Sequence, residues 1–466
     1  MSRIDISYGR ITRVTTPVLL GQLSYTAMGV IDTIMVGRLG VTALAGVGIG
    51  NIVAWWVLSL FWGMLAGVNT QVAQAVGAEN PRAAGVSLWQ GLYLGAGCAA
   101  LMLCLWPLAP WIFALAGVPP EVQAIATSYM RIRLLGGTGL MALMVADNFY
   151  RGLGRTEVPM WFGFAKLGVN CGFNYLFIFG ALGAPALGTD GAAVGTVIAN
   201  LTVGAAMLAL LFLKAEFREV YGLTRNRGFE PAAFRELWVL SLPIGIQTFM
   251  EMGGISAFAA IVGRLGEAQL AATNAAIQAW SLAFMAGFSL SVGATTLVGQ
   301  CVGAGEPERA RLAVRRVLRI GYVMMGVLAV LYLAAPEWLM GLFVEPGSQE
   351  ALRPFARPVF AIVAFCLFLD LNFMVAWGAL RGAGDTAFSM AVNIGSSWLI
   401  LVPSSAWMAS RFGLVGAWSC LILHLGLMGL VLRWRWAGTG WQRSREREDE
   451  PPSPGPHQEP LLPETA

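Results

Sequence analysis

The chain has 466 residues, of which 57% are hydrophobic and only 12% charged, with a formal net charge of +4. An ordinary soluble protein carries about 25% charged residues, so a large water-soluble globule is excluded. Apolar runs such as residues 96–115 are long enough to cross a hydrocarbon layer about 30 Å thick at about 1.5 Å per residue. The runs are apolar on all faces and rich in Gly, Ala and Leu, which suits closely packed helices and not the alternating strands of a membrane barrel. The expected fold class is an all-α membrane protein.

Taken in chain order, residues 1–11 form a polar N-terminal stretch with Arg3 and Arg10 and no cleavable signal, so the first apolar run stays as a span. Helices are predicted at 12–37, 44–76, 86–112, 121–149, 158–181 and 190–213, an N-lobe over 12–213. A polar linker at 214–234 follows. Helices at 235–262, 268–302, 313–343, 350–379, 387–411 and 413–436 make a C-lobe over 235–436. Glycine and proline breakers at 77–81, 118–120, 183–188, 303–307 and 345–347 separate them. Residues 437–466, charged over 443–450 and then proline-rich, read as a disordered cytoplasmic tail. With the N-terminus inside, the inner loops collect most of the Lys and Arg, which places both termini in the cytoplasm. Trp106, Trp111, Trp161, Trp238, Trp338, Trp434 and Trp436 fall near predicted helix ends, where the headgroup zone favours indole rings. The cysteines, Cys98, Cys104, Cys171, Cys301, Cys366 and Cys420, form no CxxC pair and are expected as small buried hydrophobes, neither disulfides nor a metal site.

The chain is written twice. Pro17 recurs 226 residues on as Pro243, and Gly37-Arg38-Leu39-Gly40 recurs as Gly263-Arg264-Leu265-Gly266. Residues 77–81 (GAENP) recur at 303–307 as GAGEP, and residues 151–156 (RGLGRT) at 381–386 as RGAGDT. Six spans per half let both halves enter from one side, with pseudosymmetry about the membrane normal.

Three carboxylates break the repeat. Asp32 lies five residues before Gly37, about 8 Å from that helix end. Glu251 and Asp370 fall near the middle of the seventh and tenth helices. Their counterparts in the other half are Phe258, Tyr25 and Leu140. A carboxylate at such depth persists by facing a wet cavity, binding a cation or holding a proton. Asn170 and Asn174, one turn apart on the fifth helix, can join a polar network with Asp32, and Asn274 and Gln278 have the same spacing on the eighth. Asp147 and Arg151 are spaced for an i,i+4 ion pair; Lys166 is expected to pair with an acid or to snorkel; His424 is expected as a packed residue. No P-loop, His/Cys metal cluster or GxSxG elbow is present, so neither ATP hydrolysis nor another enzyme activity is expected.

At Pro17, Asp32 and Gly37, at residues 77–81 and 151–156, and at their second-half counterparts, the chain resembles the multidrug and toxic compound extrusion (MATE) family of cation-coupled antiporters. The resemblance covers about residues 10–436 and lies toward the bacterial NorM-like branch. It implies two six-helix lobes around a central cavity, exchange of organic cations for Na⁺ or H⁺, no cofactor, no nucleic-acid partner, a monomer, and a bacterial inner membrane. Glu251 and Asp370 look like that branch's coupling acids, and ligands for Na⁺ if sodium couples; Asp32 looks like the family's first-helix acid. Where some members carry an Asn and an Asp on helix 5, this chain carries Asn170 and Asn174, which shifts weight to the C-lobe pair. Two other readings are a flippase or exporter of a lipid-linked or anionic metabolite, favoured by a cavity dominated by Arg131, Arg133 and Lys166, and a channel or structural membrane protein.

Overall fold

The computed structural model describes residues 4–115, 117–342 and 349–442, and among these there is no β-strand. The proposed tail beyond 442 and the breaker at 345–347 lie outside the described residues. The first half has six spans. They are α1 (Tyr8–Gly37), α2 (Val41–Leu65) running on as α3 (Gly67–Gly77), and α4 (Pro81–Leu105) continued by α5 (Ala109–Leu115). Then come α6 (Pro120–Leu135) with α7 (Gly137–Gly152), α8 (Glu157–Phe179) and α9 (Thr189–Leu213). The second half repeats the plan with α11 (Pro231–Gly263), α12 (Glu267–Gly303), α13 (Pro307–Ala334) with the short α14 (Pro336–Gly341), and α15 (Gln349–Ala383). Last, α16 (Thr386–Gly395) passes through a π-helical stretch (Ser396–Leu401) into α17 (Val402–Ala437), and Gly413, at φ +61°, divides α17 into the end of one span and the start of the next. The π turn accommodates Pro403, which has no N–H to give.

Several helices begin earlier than the hydropathy pattern predicts. α4 and α13 start at Pro81 and Pro307, not at 86 and 313, because proline at the first helical position is pre-set for a helix and the charged first turns hide the start from an apolar window. The linker at 214–234 contains α10 (Ala215–Val220), and Glu216 on it ion-pairs with Arg155; the hydrogen bond from Arg155 holds the Glu216 carboxyl below its usual pKa. Six of the seven tryptophans expected near helix ends are exposed, but Trp436 is buried and stacks on Trp441 at 4.7 Å. The cysteines are free thiols; Cys104 is exposed, against the expected burial, because its face of α4 looks outward.

Among the described residues two large apolar cores organise the molecule, and a small third one joins Val36, Tyr129, Ile178, Ala192 and Ala193. Of the large cores, one gathers residues of α2 through α7 and α9; the other gathers α11 through α15 and α17, and takes in Ile11 and Val18 from the foot of α1. The repeat explains details of the packing. Pro17 and Pro243 lie inside α1 and α11, where each removes a backbone hydrogen bond. The repeated threonines attend to neighbouring carbonyls: Thr156 Oγ1 donates to the carbonyl oxygen of Val14 (2.8 Å), and Thr386 Oγ1 to that of Leu240 (3.0 Å).

The halves meet at the end that carries the 78–80 and 304–306 turns. A Cβ on Gly77 would lie 1.9 Å from the Gln300 carbonyl oxygen, and one on Gly303 would lie 2.0 Å from that of Gln74. Only glycine permits this approach of backbones. Two glutamines cross the same seam: Gln74 Nε2 donates to the Gly382 carbonyl (2.9 Å) and Gln300 Nε2 to the Gly152 carbonyl (3.2 Å). Thr296 Oγ1 adds a bond to Asn69 Oδ1 (3.2 Å). Farther along, Trp56 stacks on Phe249 at 5.2 Å and donates to the Phe249 carbonyl (3.1 Å). Beyond that level Ile52 and Ile255 are exposed. The lobes are thus sealed at one end and part toward the other.

Candidate functional site

The second half holds an aromatic-walled cavity of about 250 Å³. Glu251 reaches it from α11, Asp370 from α15, Trp280 from α12, and Trp418 and His424 from α17. Ser397 comes from the π-helical stretch, where the extra residue per turn re-aims side chains. Asp370 is buried and accepts a hydrogen bond from Trp280 Nε1 (3.1 Å). Glu251 makes no side-chain hydrogen bond among the described residues. The indole of Trp418 is fixed by its bond to Thr273 Oγ1 (3.1 Å), lies 6.2 Å from Trp280, and receives Phe258 edge-on at 5.8 Å. Among the described residues no Lys or Arg lines this cavity. Two carboxylates among π-faces and hydroxyls suit a hard monovalent ion, a proton or a delocalised organic cation. Among the described residues no three His, Cys, Asp or Glu side chains converge to hold a metal ion.

The sequence pattern carries no sign of Trp280, Trp418 or Ser397 at this cavity. His424 is packed, as expected, but it also faces the cavity and shares a 2.8 Å hydrogen bond with Ser396 Oγ. Asn274 and Gln278, expected as a network here, are exposed on the opposite face of α12 from the buried Ala275, Ala276 and Ala279, and their side chains make no hydrogen bond among the described residues.

Asp32 lies apart, in the first half. Asn174 Nδ2 donates to Asp32 Oδ1 (2.5 Å) and to Asn170 Oδ1 (3.3 Å), and Asn170 Nδ2 donates to Thr196 Oγ1 (3.2 Å). Gly195 leaves room for this chain: a Cβ there would stand 2.1 Å from Asn174 Oδ1. Nearby, Lys166 has Tyr25 as its partner and not an acid; its Nζ donates to Tyr25 Oη (2.7 Å) and lies 4.1 Å from the ring centre. Asp147 and Arg151 form the expected i,i+4 pair at 2.7 Å. The second half replaces that pair: Arg381 stacks on Trp377 at 4.5 Å and bonds Thr295 Oγ1. Arg131 stacks on Trp106 at 4.5 Å, while Arg133 and Lys166 share a pocket of only about 60 Å³.

Replacing Trp280 by Phe is expected to keep the ring and remove the donor to Asp370. The loss is about 0.5–1.5 kcal/mol of stability, read as a lower melting temperature of the purified protein. An unchanged melting temperature would show that this bond contributes nothing.

Comparison with known proteins places the chain and its fold in one lineage. The MatE family model matches residues 17–176 and again 243–407, one match in each half. The chain is similar to the "Probable multidrug resistance protein NorM" of Pseudomonas putida, at 33% identity over 434 residues, 90% of this chain and 92% of that protein. It is also similar to the "Multidrug resistance protein NorM" of Burkholderia vietnamiensis, at 30% identity over 427 residues, 91% and 92% of the two chains. Among solved structures, a crystal structure of MATE in complex with MaL6 superposes with a TM-score of 0.84 at 19% identity, over 93% of this chain and 97% of that one. An outward-facing conformation of a multidrug resistance MATE family transporter gives 0.83 at 19% identity, over 93% and 96%. Both structural likenesses concern the fold. With both halves matched and relatives aligned over nine-tenths of its length, the chain belongs to the MatE family of membrane transporters.

Proposed function

We propose that this protein is a secondary antiporter that exports organic cations in exchange for Na⁺ or H⁺. The observation that carries the reading is the cavity of the second half, with two carboxylates, Glu251 and Asp370, no Lys or Arg in its lining, and a wall of indole and phenyl rings. The multidrug-resistance names of its relatives support it. Residues 12–213 and 235–436 act as the two lobes. By the distribution of Lys and Arg, the sealed end and both termini face the cytoplasm of a bacterial inner membrane, and the conformer described opens outward. The chain works as a monomer.

In this conformer the coupling ion enters from outside and occupies Glu251 and Asp370, which weakens the hold on the drug and drives its release. The lobes then rock: the seam at Gly77 and Gly303 opens, the outer ends close, and a new drug displaces the ion on the cytoplasmic side. Coupling needs only that ion and drug oppose one another in binding free energy. Anion export would need a basic cavity, and the pocket shared by Arg133 and Lys166 is too small for a lipid-linked metabolite. Proteoliposomes test the proposal. Ethidium should move against an imposed Na⁺ or proton gradient and stop when the gradient is dissipated. If neither gradient moves any organic cation, the antiport reading fails.

A further inference from the structure

A second cavity, of about 280 Å³, lies between α13, α15 and α17 near the sealed end of the molecule, with a lining that shares no residue with the acid cavity. It is lined by Arg311 and Arg315 from α13, Asn372 from α15, and Arg433 and Trp436 from α17, with Glu308 at its rim. The arginines of α13 divide by helical face. Arg309 and Arg316, seven residues apart, hold the N-terminal segment through the carbonyls of Ile4 and Ile6. Arg311 and Arg315, four apart, turn to this cavity instead.

The charge here is not balanced. Arg311 pairs with Glu308 at 2.7 Å, but its Nε is buried without a partner. Among the described residues the guanidinium of Arg433 bonds only the neutral amide oxygen of Asn372 (2.6 Å), which also accepts from Tyr322 Oη (2.8 Å). Arg315 has no hydrogen bond or ion pair among the described residues. Among the described residues, three guanidiniums face one carboxylate, which leaves two positive charges converging on one pocket. Along α13 and α17, exposed aliphatic side chains lead away from it toward the middle of the membrane: Val323 and Val327 on one helix, Leu430 and Leu423 on the other, with Phe365 of α15 between them.

We propose that this pocket binds the phosphate of an anionic phospholipid headgroup, with the acyl chains lying along the exposed faces of α13 and α17. Guanidinium groups match phosphate oxygens in geometry as well as charge, and basic pockets between helices at the headgroup level are suited to such lipids. The exposed aliphatic side chains on the same two helices that supply the arginines favour a lipid over a soluble phosphate compound or the acidic run that contains Glu446 and Glu448.

Native mass spectrometry of the full-length protein, given phosphatidylglycerol or phosphatidylcholine at equal concentration, is the test. The wild type should retain phosphatidylglycerol in preference. Arg315→Gln with Arg433→Gln should lower that retention about 30-fold and leave phosphatidylcholine unchanged. Arg315→Lys with Arg433→Lys, which keeps the charge, should retain most of it. Equal retention of the two lipids by the wild type, or undiminished phosphatidylglycerol on the glutamine variant, would overturn the proposal. Should the glutamine variant fail to fold, the wild type decides by salt: retention of phosphatidylglycerol must fall as ionic strength rises, and retention indifferent to salt overturns it. Two further arms separate the alternatives. Displacement of the lipid by millimolar inorganic phosphate would reassign the pocket to a soluble phosphate compound. Retention that appears only after Glu446→Gln with Glu448→Gln would reassign it to the chain's own tail. Either result overturns the lipid assignment.

Discussion

Replacing Glu251 by Gln, or Asp370 by Asn, is expected to lower gradient-driven export by about 5- to 150-fold, the span of ordinary coupling energies. The two side chains line one cavity that contains no Lys or Arg, so they supply its negative field between them. Each substitution keeps size and hydrogen-bonding capacity and removes the charge that an ion needs. Because both act on one ion, the double variant should be little worse than either single one. Energy-independent exchange of drug across the membrane should survive, which separates lost coupling from lost folding. Asp32→Asn should cost less, since Asp32 lies in the other half and its carboxylate already receives the Asn174 amide. Full gradient-driven transport in both single variants would remove the site assignment.

Gly77→Ala and Gly303→Ala are expected to shift the balance of conformers. Each new methyl would meet a backbone carbonyl at about 2 Å, a contact that no side-chain rotation relieves. Overpacking of this kind costs about 1–3 kcal/mol, applied only to the conformer in which the seam is closed. A penalty on one state moves the population to the other by the same free energy. Spin labels at positions 79 and 305 should therefore move apart, and labels at 41 and 267 should draw together. The labelled background needs Cys104 and Cys171 replaced, since these are the cysteines that are not buried. Gln74→Leu with Gln300→Leu should act in the same direction more weakly, because each removes one hydrogen bond worth about 0.5–1.5 kcal/mol. Unchanged distances in the glycine variants would mean that this seam does not set the conformer.

The repeat makes much of the scaffold legible in the sequence. Proline and glycine mark positions where backbone geometry itself is constrained, so Pro17, Gly77 and their counterparts could be read as architecture from spacing alone. Burial direction was less accessible. Asn170 with Asn174 and Asn274 with Gln278 have the same i,i+4 spacing, and spacing says that two residues share a face without saying which way the face looks. The first pair turned inward to Asp32; the second turned outward. Sequence leads one to expect Lys166 to pair with an acid or to snorkel, because a tyrosine on another helix has no local signature, whereas Tyr25 supplies both an oxygen and a ring face. Trp280, Trp418 and Ser397 come to one cavity from three separate segments, and a π-helical turn aims one of them, so no local pattern announces the gathering.

The halves differ in polarity where they share shape. The first half sets Lys166 against Tyr25, while Tyr25's counterpart in the second half is Glu251, facing an acidic aromatic cavity. If the protein couples as proposed, ion and drug compete for that cavity. Binding of tetraphenylphosphonium to the purified protein, followed by titration calorimetry, measures this competition directly. The wild type should bind more weakly when Na⁺ is added or when the pH is lowered, and the Glu251→Gln, Asp370→Asn double variant should lose that dependence. A wild-type affinity indifferent to both Na⁺ and pH would mean that ion and drug do not compete there.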